Sequence, residues 1–178
     1  DQSSLASALL QTEPDEVYNL AAQSFVKTSW NPPVLTGEIT ALGPVRVFEA
    51  ARRHGPDAKV YQATSREIFG NIDAESANES TPIDGNNPYG IAKAYAHMMV
   101  HCYRESYGLF VCGGILFNHE SPRRSLHFVS RKVTSAVACI KNNRTRNVPL
   151  NEIGHPIVQN GKLKLGYLGS KRDWGYAP

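Results

Sequence analysis

The spacing of apolar residues predicts that helices and strands alternate along the first 141 residues. At the start, Leu5, Leu9 and Leu10 recur at helical spacing after Asp1, a residue that caps helices well. Further along, short apolar runs bounded by Gly, Pro or Asp are typical of buried strands, and longer periodic runs are typical of helices. The predicted elements, in order, are helix 1–10, strand 16–22, helix 34–53, strand 58–65, helix 88–107, strand 109–117 and helix 129–141.

This order predicts an α/β fold with a parallel sheet and helices on both faces, because parallel strands need helical crossovers. The strand at 109–117 is mostly apolar, so we expect it to be covered on both sides. The alternation ends at residue 141, and residues 142–164 are polar and rich in turn signals. We expect a loop or a small hairpin there, and we divide the chain into domains at 1–141 and 142–178.

Composition excludes several classes of protein. The 178 residues are 41% hydrophobic and 20% charged, which is typical of a globular domain with a core. A net charge of +3, with basic residues scattered, does not favour nucleic acid binding. No run is long enough to span a membrane. An odd number of cysteines among apolar neighbours (Cys102, Cys112 and Cys139) predicts small buried residues in a reducing, cytoplasmic compartment, and no metal site is expected.

A candidate reactive pair lies where a loop enters the long helix. Tyr89 and Lys93 are four residues apart, so they lie on one face of the helix. An ammonium beside a phenol favours the phenolate, which can act as a general base toward a hydroxyl group. A chance surface pair has the same spacing, so the pair needs support from elsewhere in the chain.

That support comes from the ends of two predicted strands. Ser65 and Glu67 follow the strand at 58–65 and supply a hydroxyl and a carboxylate. Asn19 to Ser24 lie at the end of the strand at 16–22, where small residues allow a ligand to approach the backbone. In an open parallel sheet, ligands bind at this carboxyl edge. Close packing of strand and helix is the competing interpretation of the small residues.

Four segments together resemble the extended short-chain dehydrogenase/reductase family and, within it, the GDP-mannose 4,6-dehydratases. They are Asn19-Leu20-Ala21-Ala22-Gln23-Ser24, Tyr61-Gln62-Ala63-Thr64-Ser65-Arg66-Glu67, Asn87-Pro88-Tyr89-Gly90-Ile91-Ala92-Lys93 and Phe117-Asn118-His119-Glu120-Ser121-Pro122-Arg123-Arg124. The last is the most specific, since sugar-nucleotide epimerases are not expected to carry it. The resemblance runs from residue 1 to about residue 141 and resumes at about 165–177.

The resemblance implies a Rossmann-like domain that binds a nicotinamide dinucleotide, NADP with NAD as the alternative, and GDP-mannose. It implies that residues 1–141 are part of the dinucleotide-binding catalytic domain and that 142–178 begin the substrate-binding portion. No Gly-rich turn is present, so the chain is expected to be an internal fragment, inactive alone. A homo-oligomer, dimer or tetramer, is expected as well.

The implied roles fall into three groups. The catalytic residues are Ser65, Glu67, Tyr89 and Lys93. The cofactor-binding residues are Leu20, Ala21, Ala22, Gln23, Ser24, Tyr89, Lys93, His119 and Arg124. The substrate-binding residues are Ser24, Ser65, Glu67, Tyr89, Asn118, Lys132 and Arg172.

The implied reaction removes water from the hexose. Tyr89 takes the proton of the 4-hydroxyl as hydride leaves C4, Glu67 removes the C5 proton and assists loss of water from C6, and hydride returns to C6. Arg66 departs from the family pattern of a small residue, and a guanidinium there favours the ionised form of Glu67 and weakens it as an acid. A sugar-nucleotide 4-epimerase and a non-catalytic binding or oligomerisation fragment remain as alternatives.

Overall fold

The computed structural model of the chain describes residues 1–72, 76–144, 147–151 and 153–178. They form two compact units, Asp1–Leu116 and Phe117–Pro178. The predicted boundary between residues 141 and 142 lies inside the second unit, and as a domain boundary it stays a prediction. None of the described helices is both long and apolar enough to span a membrane.

The first unit contains a three-stranded parallel sheet with helices between its strands, as predicted. Its strands are β1 (Glu16–Asn19), β2 (Lys59–Ala63) and β3 (Val111–Gly114), in the order β1-β2-β3. Its helices are α1 (Gln2–Thr12), α2 (Pro33–Thr36), α3 (Gly43–His54) and α4 (Pro88–Tyr107), with a π-helical turn at Gly37–Leu42 and 3-10 turns at Val26–Trp30 and Arg66–Phe69. The sequence predicted α2, the π-helical turn and α3 as one helix.

One face of the sheet carries the core of the first unit. Val60 and Val111 are 1% exposed and pack with residues of α1, α3 and α4 in a single cluster. Its largest fully buried member is Phe48 of α3, whose ring meets Tyr103 of α4 edge-on at 5.3 Å between centroids. Burial of such aromatic surface contributes roughly 2 kcal/mol or more for each ring.

The other face of the sheet carries aromatic rings. Tyr18 and Tyr61, neighbours across β1 and β2, lie 5.9 Å apart between ring centroids. Helices therefore cover one face of the sheet in the first unit, as predicted. Helices on the opposite face stay a prediction. The expectation that residues 109–117 are covered on both sides is wrong at Phe110, which is 59% exposed, because its side chain points to the face opposite that of the buried Val111.

The long helix α4 begins and ends where the sequence predicts, because both of its ends are capped. The side chain of Asn87 accepts a hydrogen bond of 2.9 Å from the backbone N–H of Gly90, and Pro88 occupies the first helical position. Gly108 ends the helix with a positive φ of 66°. In the same way Asp1 caps α1 by accepting from the N–H of Ser4.

Two local expectations are wrong. The strand predicted over 16–22 ends at Asn19, because the Asn19 side chain accepts a hydrogen bond from the Ala21 N–H and turns the backbone away.

Cys102 was expected to be buried and is exposed, because it lies on the outer face of α4. Cys139 is buried as predicted, and Cys112 is partly buried. All three thiols are free, in agreement with the prediction.

The second unit combines one predicted helix with short strands. Its α5 covers Val129–Lys141, as predicted. Strands β5 (Val158–Gln159) and β6 (Lys162–Leu163) form an antiparallel hairpin, which confirms the small hairpin expected within 142–164. The sequence did not predict that β4 (Asn118–Glu120) pairs in parallel with β7 (Trp174–Tyr176).

Two glycines with positive φ differ in backbone conformation and in crowding, since Gly108 is left-handed helical (ψ 13°) and Gly70 has ψ −131°, a conformation that other residues rarely adopt. Gly70 (φ 59°) would bring an added Cβ within 2.0 Å of the Asp84 backbone oxygen, whereas Gly108 (φ 66°) has open space there. We expect Gly108→Ala to lower the free energy of unfolding by about 1 kcal/mol, the cost of a left-handed backbone. Gly70→Ala should cost more than about 3 kcal/mol, since the loop at 84 must also move. Urea denaturation measures both, and equal losses would contradict the crowding at Gly70.

Candidate functional site

The candidate site of the first unit lies at the carboxyl edge of its sheet. The loop after β1 supplies Leu20 to Ser24, and the turn after β2 supplies Ser65 and Glu67. The start of α4 supplies Tyr89 and Lys93. The 3-10 turn that carries Glu67 packs on α4, so the predicted catalytic residues of this unit are brought to one edge.

Tyr89 and Lys93 are both buried on the inner side of α4, with exposed fractions of 9% and 2%. The Lys93 Nζ lies 5.8 Å from the centroid of the Tyr89 ring and donates a hydrogen bond of 2.7 Å to the Ala63 carbonyl. Burial lowers the pKa of Lys93 to about 8. Near neutral pH roughly nine in ten lysines with this pKa carry a proton, so the charge that would stabilise a phenolate is present.

The carboxylate of Glu67 is bonded on both oxygens. Oε1 forms an ion pair of 3.1 Å with Nη1 of Arg66, and Oε2 accepts a hydrogen bond of 3.1 Å from Nδ2 of Asn87. Nη2 of Arg66 also donates to the Gly70 carbonyl at 3.2 Å, which orients the guanidinium. The guanidinium that the sequence places beside Glu67 therefore contacts its carboxylate directly.

Asn87 connects Glu67 to the helix of Tyr89. Its side-chain oxygen caps α4 while its side-chain nitrogen bonds Glu67, so one amide serves both. Gly90 allows α4 to approach the turn that carries Glu67, because a Cβ at this position would lie only 2.6 Å from the Glu67 carbonyl oxygen. Sequence reasoning gave Asn87 no role. An asparagine before a proline that opens a helix is the signal that would have revealed it.

Ser65 is 8% exposed and begins the 3-10 turn of Glu67. Its Oγ accepts a hydrogen bond of 3.2 Å from the Glu67 N–H. The hydroxyl is thus oriented as an acceptor toward the backbone, and its O–H can donate to a ligand oxygen.

The loop after β1 combines exposed residues with one buried polar atom. Leu20 is 66% exposed, Ala21 and Ser24 are exposed, and Ala22 and Gln23 are partly buried. The Oε1 of Gln23 is buried and has no hydrogen-bond partner among the described residues. A buried acceptor without a donor costs about 1–3 kcal/mol. A ligand that brings an N–H or O–H to this loop would remove that cost.

The remaining predicted site residues lie in the second unit. Asn118 is partly buried and His119 exposed, both on β4, and Nδ1 of His119 lies 3.1 Å from the Phe117 carbonyl. The guanidinium of Arg124 lies 3.5 Å from the centroid of the Phe128 ring. Its Nε is 3.4 Å from the Glu120 carboxylate, an ion-pair distance without hydrogen-bond geometry. Lys132 is partly buried on α5, and Arg172 is exposed before β7.

Metal binding finds no support in the part of the chain that the structure describes. No group of three or more histidine, cysteine, aspartate or glutamate side chains is placed to hold an ion there. The groups that the described residues place at this edge of the sheet are a phenol, an ammonium, a hydroxyl and a carboxylate.

Comparison with solved structures identifies the same fold in enzymes of sugar nucleotides. The structure of DesIV, a dTDP-glucose 4,6-dehydratase from Streptomyces venezuelae with NAD and TYD bound, superposes with a TM-score of 0.76 at 23% identity, over 99% of this chain and 48% of that one. A UDP-glucose 4-epimerase from Thermus thermophilus in complex with NAD gives a TM-score of 0.70 at 30% identity, over 80% of this chain and 46% of that one.

Comparison of sequences is more specific. The GDP-mannose 4,6 dehydratase 2 of Arabidopsis thaliana is 44% identical over 99% of this chain and 44% of its own length. The chain spans less than half the length of the curated relatives it matches. The family profile described as GDP-mannose 4,6 dehydratase matches residues 1–178. The chain therefore belongs to the GDP-mannose 4,6-dehydratase family.

Proposed function

We propose that the protein of which this chain is part converts GDP-mannose to GDP-4-keto-6-deoxymannose. The observation that carries the proposal is the hydrogen bond between Glu67 and Asn87, which holds a carboxylate at the start of the helix that bears Tyr89 and Lys93. A base for the 4-hydroxyl and a second base for C5 are what a 4,6-dehydratase needs, and the family membership identifies the substrate class.

A nicotinamide dinucleotide, NADP with NAD as the alternative, fits the residues present. The Gln23 Oε1, which has no partner among the residues that the structure describes, lies in the loop Leu20 to Ser24 that the family resemblance assigns to the cofactor. Lys93 supplies two further N–H groups beside its bond to Ala63, and His119 and Arg124 are proposed as phosphate or ribose contacts. When bound, the nicotinamide would accept a hydride from the sugar and later return it.

In the first half of the reaction, Tyr89 takes the proton of the 4-hydroxyl. The charge of Lys93, held in a buried position, favours the phenolate and makes this transfer possible near neutral pH. Ser65 donates its O–H to the 4-oxygen and stabilises the negative charge that develops there.

In the second half, Glu67 acts on the 4-keto sugar. The ketone acidifies C5, the carboxylate removes the C5 proton, and the C6 hydroxyl leaves with that proton as water. The bonds from Arg66 and Asn87 hold the Glu67 carboxylate in position for the first of these steps. Ser24, Asn118, Lys132 and Arg172 are proposed to hold the substrate, the last three at its diphosphate and nucleotide end.

A sugar-nucleotide 4-epimerase is the second candidate. The observation in its favour is the 30% identity to an epimerase with the same fold. Hydride removal at C4 needs a base at the 4-hydroxyl, and Tyr89 can take this role in an epimerase as well. An epimerase only removes and replaces hydride at C4, so it has no use for Glu67. The product of the reaction separates the two candidates.

Isotope transfer tests the proposal directly. We expect the intact protein, given NADP⁺ and GDP-mannose deuterated at C4, to lose water and to form a 4-keto-6-deoxy product that carries the deuterium at C6, as measured by mass spectrometry and NMR. Tyr89→Phe should lower turnover by about 10²–10⁴-fold, since one general base is lost. Glu67→Gln should retain oxidation at C4 and lose dehydration.

A C4 epimer formed without loss of water would replace the dehydratase with the epimerase. Turnover near that of the wild type in Tyr89→Phe, or unimpaired dehydration in Glu67→Gln, would remove the residue concerned from the mechanism.

The buried charge of Lys93 predicts a particular dependence of stability on pH. Its pKa falls from 10.5 in the unfolded chain to about 8, so between these values the unfolded state binds more protons. The free energy of unfolding should therefore rise from pH 8 to 10.5, by up to about 3 kcal/mol from this group.

Lys93→Met should remove this rise, and Lys59→Met, at an exposed position of β2, should keep it. Urea denaturation of the ligand-free protein across this range gives the answer. Equal pH slopes for wild type and Lys93→Met would show that Lys93 is not desolvated.

We also propose that the protein is a cytoplasmic homo-oligomer, in agreement with its free cysteines. An exposed apolar surface supports self-association. It lies on α2, the π-helical turn and α4, and surrounds a cavity of about 530 Å³. Its exposed members include Val34, Leu42, Ile91 and Tyr95. A patch of this kind on two neighbouring helices is suited to packing against the same patch of a second copy.

The oligomer is tested by a pair of matched substitutions. Ile91 and Leu10 are equally exposed, at 57% and 58%, but only Ile91 lies on the proposed surface. We expect Ile91→Glu to shift the intact protein toward monomer in analytical ultracentrifugation, and Leu10→Glu to leave its mass unchanged. A monomeric wild type, or equal behaviour of both variants, would rule the surface out.

A further inference from the structure

A continuous line of hydrogen bonds runs from the loop after β1 to the buried lysine of α4. The backbone N–H of Ala21 donates to Oδ1 of Asn19 at 3.3 Å, and Nδ2 of Asn19 donates to Oε1 of Gln62 at 2.7 Å. Nε2 of Gln62 donates to the Ala63 carbonyl at 2.8 Å, and Nζ of Lys93 donates to the same carbonyl at 2.7 Å. Each of these four groups therefore donates at least one hydrogen bond within the line.

The strand lengths explain why the Ala63 carbonyl is available. β1 and β2 pair in register from Glu16 opposite Lys59 to Asn19 opposite Gln62, where β1 ends. Ala63 is the next residue of β2 and has no partner on β1. Its carbonyl has two lone pairs, and the amide of Gln62 and the ammonium of Lys93 occupy them.

The amide side chains of this line lie in the interior of the first unit. Gln62 is 0% exposed and Asn19 is 8% exposed, although both carry amides that are costly to remove from water. An apolar side chain in place of Asn19 or Gln62 would fit a strand that faces a helical core at lower cost. The two buried amides therefore indicate a role beyond packing. Lys93, at the end of the line, is itself 2% exposed.

We propose that Asn19 and Gln62 are positioning residues that hold Lys93 and couple it to the backbone of the loop at residues 20–24. Gln62 fixes the direction of the Ala63 carbonyl, and the carbonyl takes one of the three ammonium protons. The other two are then directed away from the sheet, toward Tyr89 and toward a ligand in the loop. Asn19 fixes Gln62 and holds the loop through the Ala21 N–H. This inference rests on the proposed function for its effect on catalysis, but the hydrogen-bond line itself does not.

Kinetics of the intact protein with NADP⁺ and GDP-mannose test the effect on catalysis. Gln62→Leu removes the side-chain donor and acceptor at similar volume and should lower kcat about tenfold, the rate equivalent of one neutral hydrogen bond. KM for GDP-mannose should stay within about twofold, since Gln62 is 0% and Asn19 only 8% exposed. Asn19→Ala should lower kcat in the same direction and serves as the second variant if Gln62→Leu does not fold.

Thr64→Val is the matched control. Thr64 is 2% exposed on the same strand end and donates to the Gly114 carbonyl at 2.9 Å, outside the line to Lys93. It should lose a similar amount of stability with little change in kcat. Equal losses of kcat in Thr64→Val and Gln62→Leu, or a kcat unchanged in both Gln62→Leu and Asn19→Ala, would overturn the proposal.

A second readout does not require dehydratase activity. A buried ammonium that donates to a carbonyl exchanges its protons slowly, so Lys93 should give its own signal in a ¹H–¹⁵N NMR spectrum of lysine side chains at pH 6, assigned by its loss in Lys93→Arg. We expect Gln62→Leu to broaden or remove that signal and Thr64→Val to retain it. A signal unchanged in Gln62→Leu would refute the positioning role. If the wild type fails to dehydrate GDP-mannose, the proposed function falls while this comparison still decides on the hydrogen-bond line.

Discussion

The hydrogen bond between the Asn87 amide and the Glu67 carboxylate is the contact on which the site of the first unit depends. Glu67 follows β2, whereas Asn87 immediately precedes α4, so the bond joins parts of the chain twenty residues apart. Because the same amide caps α4, the position of the carboxylate and the start of the helix are linked. Because Tyr89 lies in the first turn of that helix, the same bond places its phenol at the edge of the sheet where Glu67 lies.

A second constraint acts from inside the sheet. A lysine that is almost fully buried must have its charge compensated, and here a strand that ends early leaves a carbonyl for it. The result is an ammonium in a low-dielectric environment close to a phenol, an arrangement that is costly for the fold and useful for proton transfer. Arg66, where the resemblance implies a small residue, contacts one carboxylate oxygen of Glu67. The other oxygen is held by Asn87.

Much of this architecture follows from local sequence signals. The bounds of α4 and α5 were predictable because Asn87 and Pro88 open one helix, and because apolar spacing extends without interruption through both. The early end of β1 was not predictable from hydrophobicity, since Leu20 to Ala22 are apolar and only the Asn19 side chain turns the backbone. The exposure of Cys102 was missed for a related reason, as its position on the outer face of α4 depends on which side of that helix the sheet covers. The parallel pairing of β4 with β7 joins residues more than fifty positions apart, and no local pattern indicates it.

The site could be predicted only in part. Spacing and the preceding strand ends placed Tyr89, Lys93, Ser65 and Glu67 at one edge of the sheet, as the structure has them, and their catalytic roles stay predictions. Asn19, Gln62 and Asn87 were not assigned roles, because an amide acts through partners that only the fold brings near.

The most direct measurement of the central claim is a crystal structure of the Glu67→Gln variant of the intact protein with NADP⁺ and GDP-mannose. We expect the Tyr89 hydroxyl to lie about 3 Å from the C4 oxygen and the side chain at position 67 to face C5 of the same sugar ring. A hexose bound with C5 turned away from position 67, or a Tyr89 hydroxyl out of reach of C4, would contradict it.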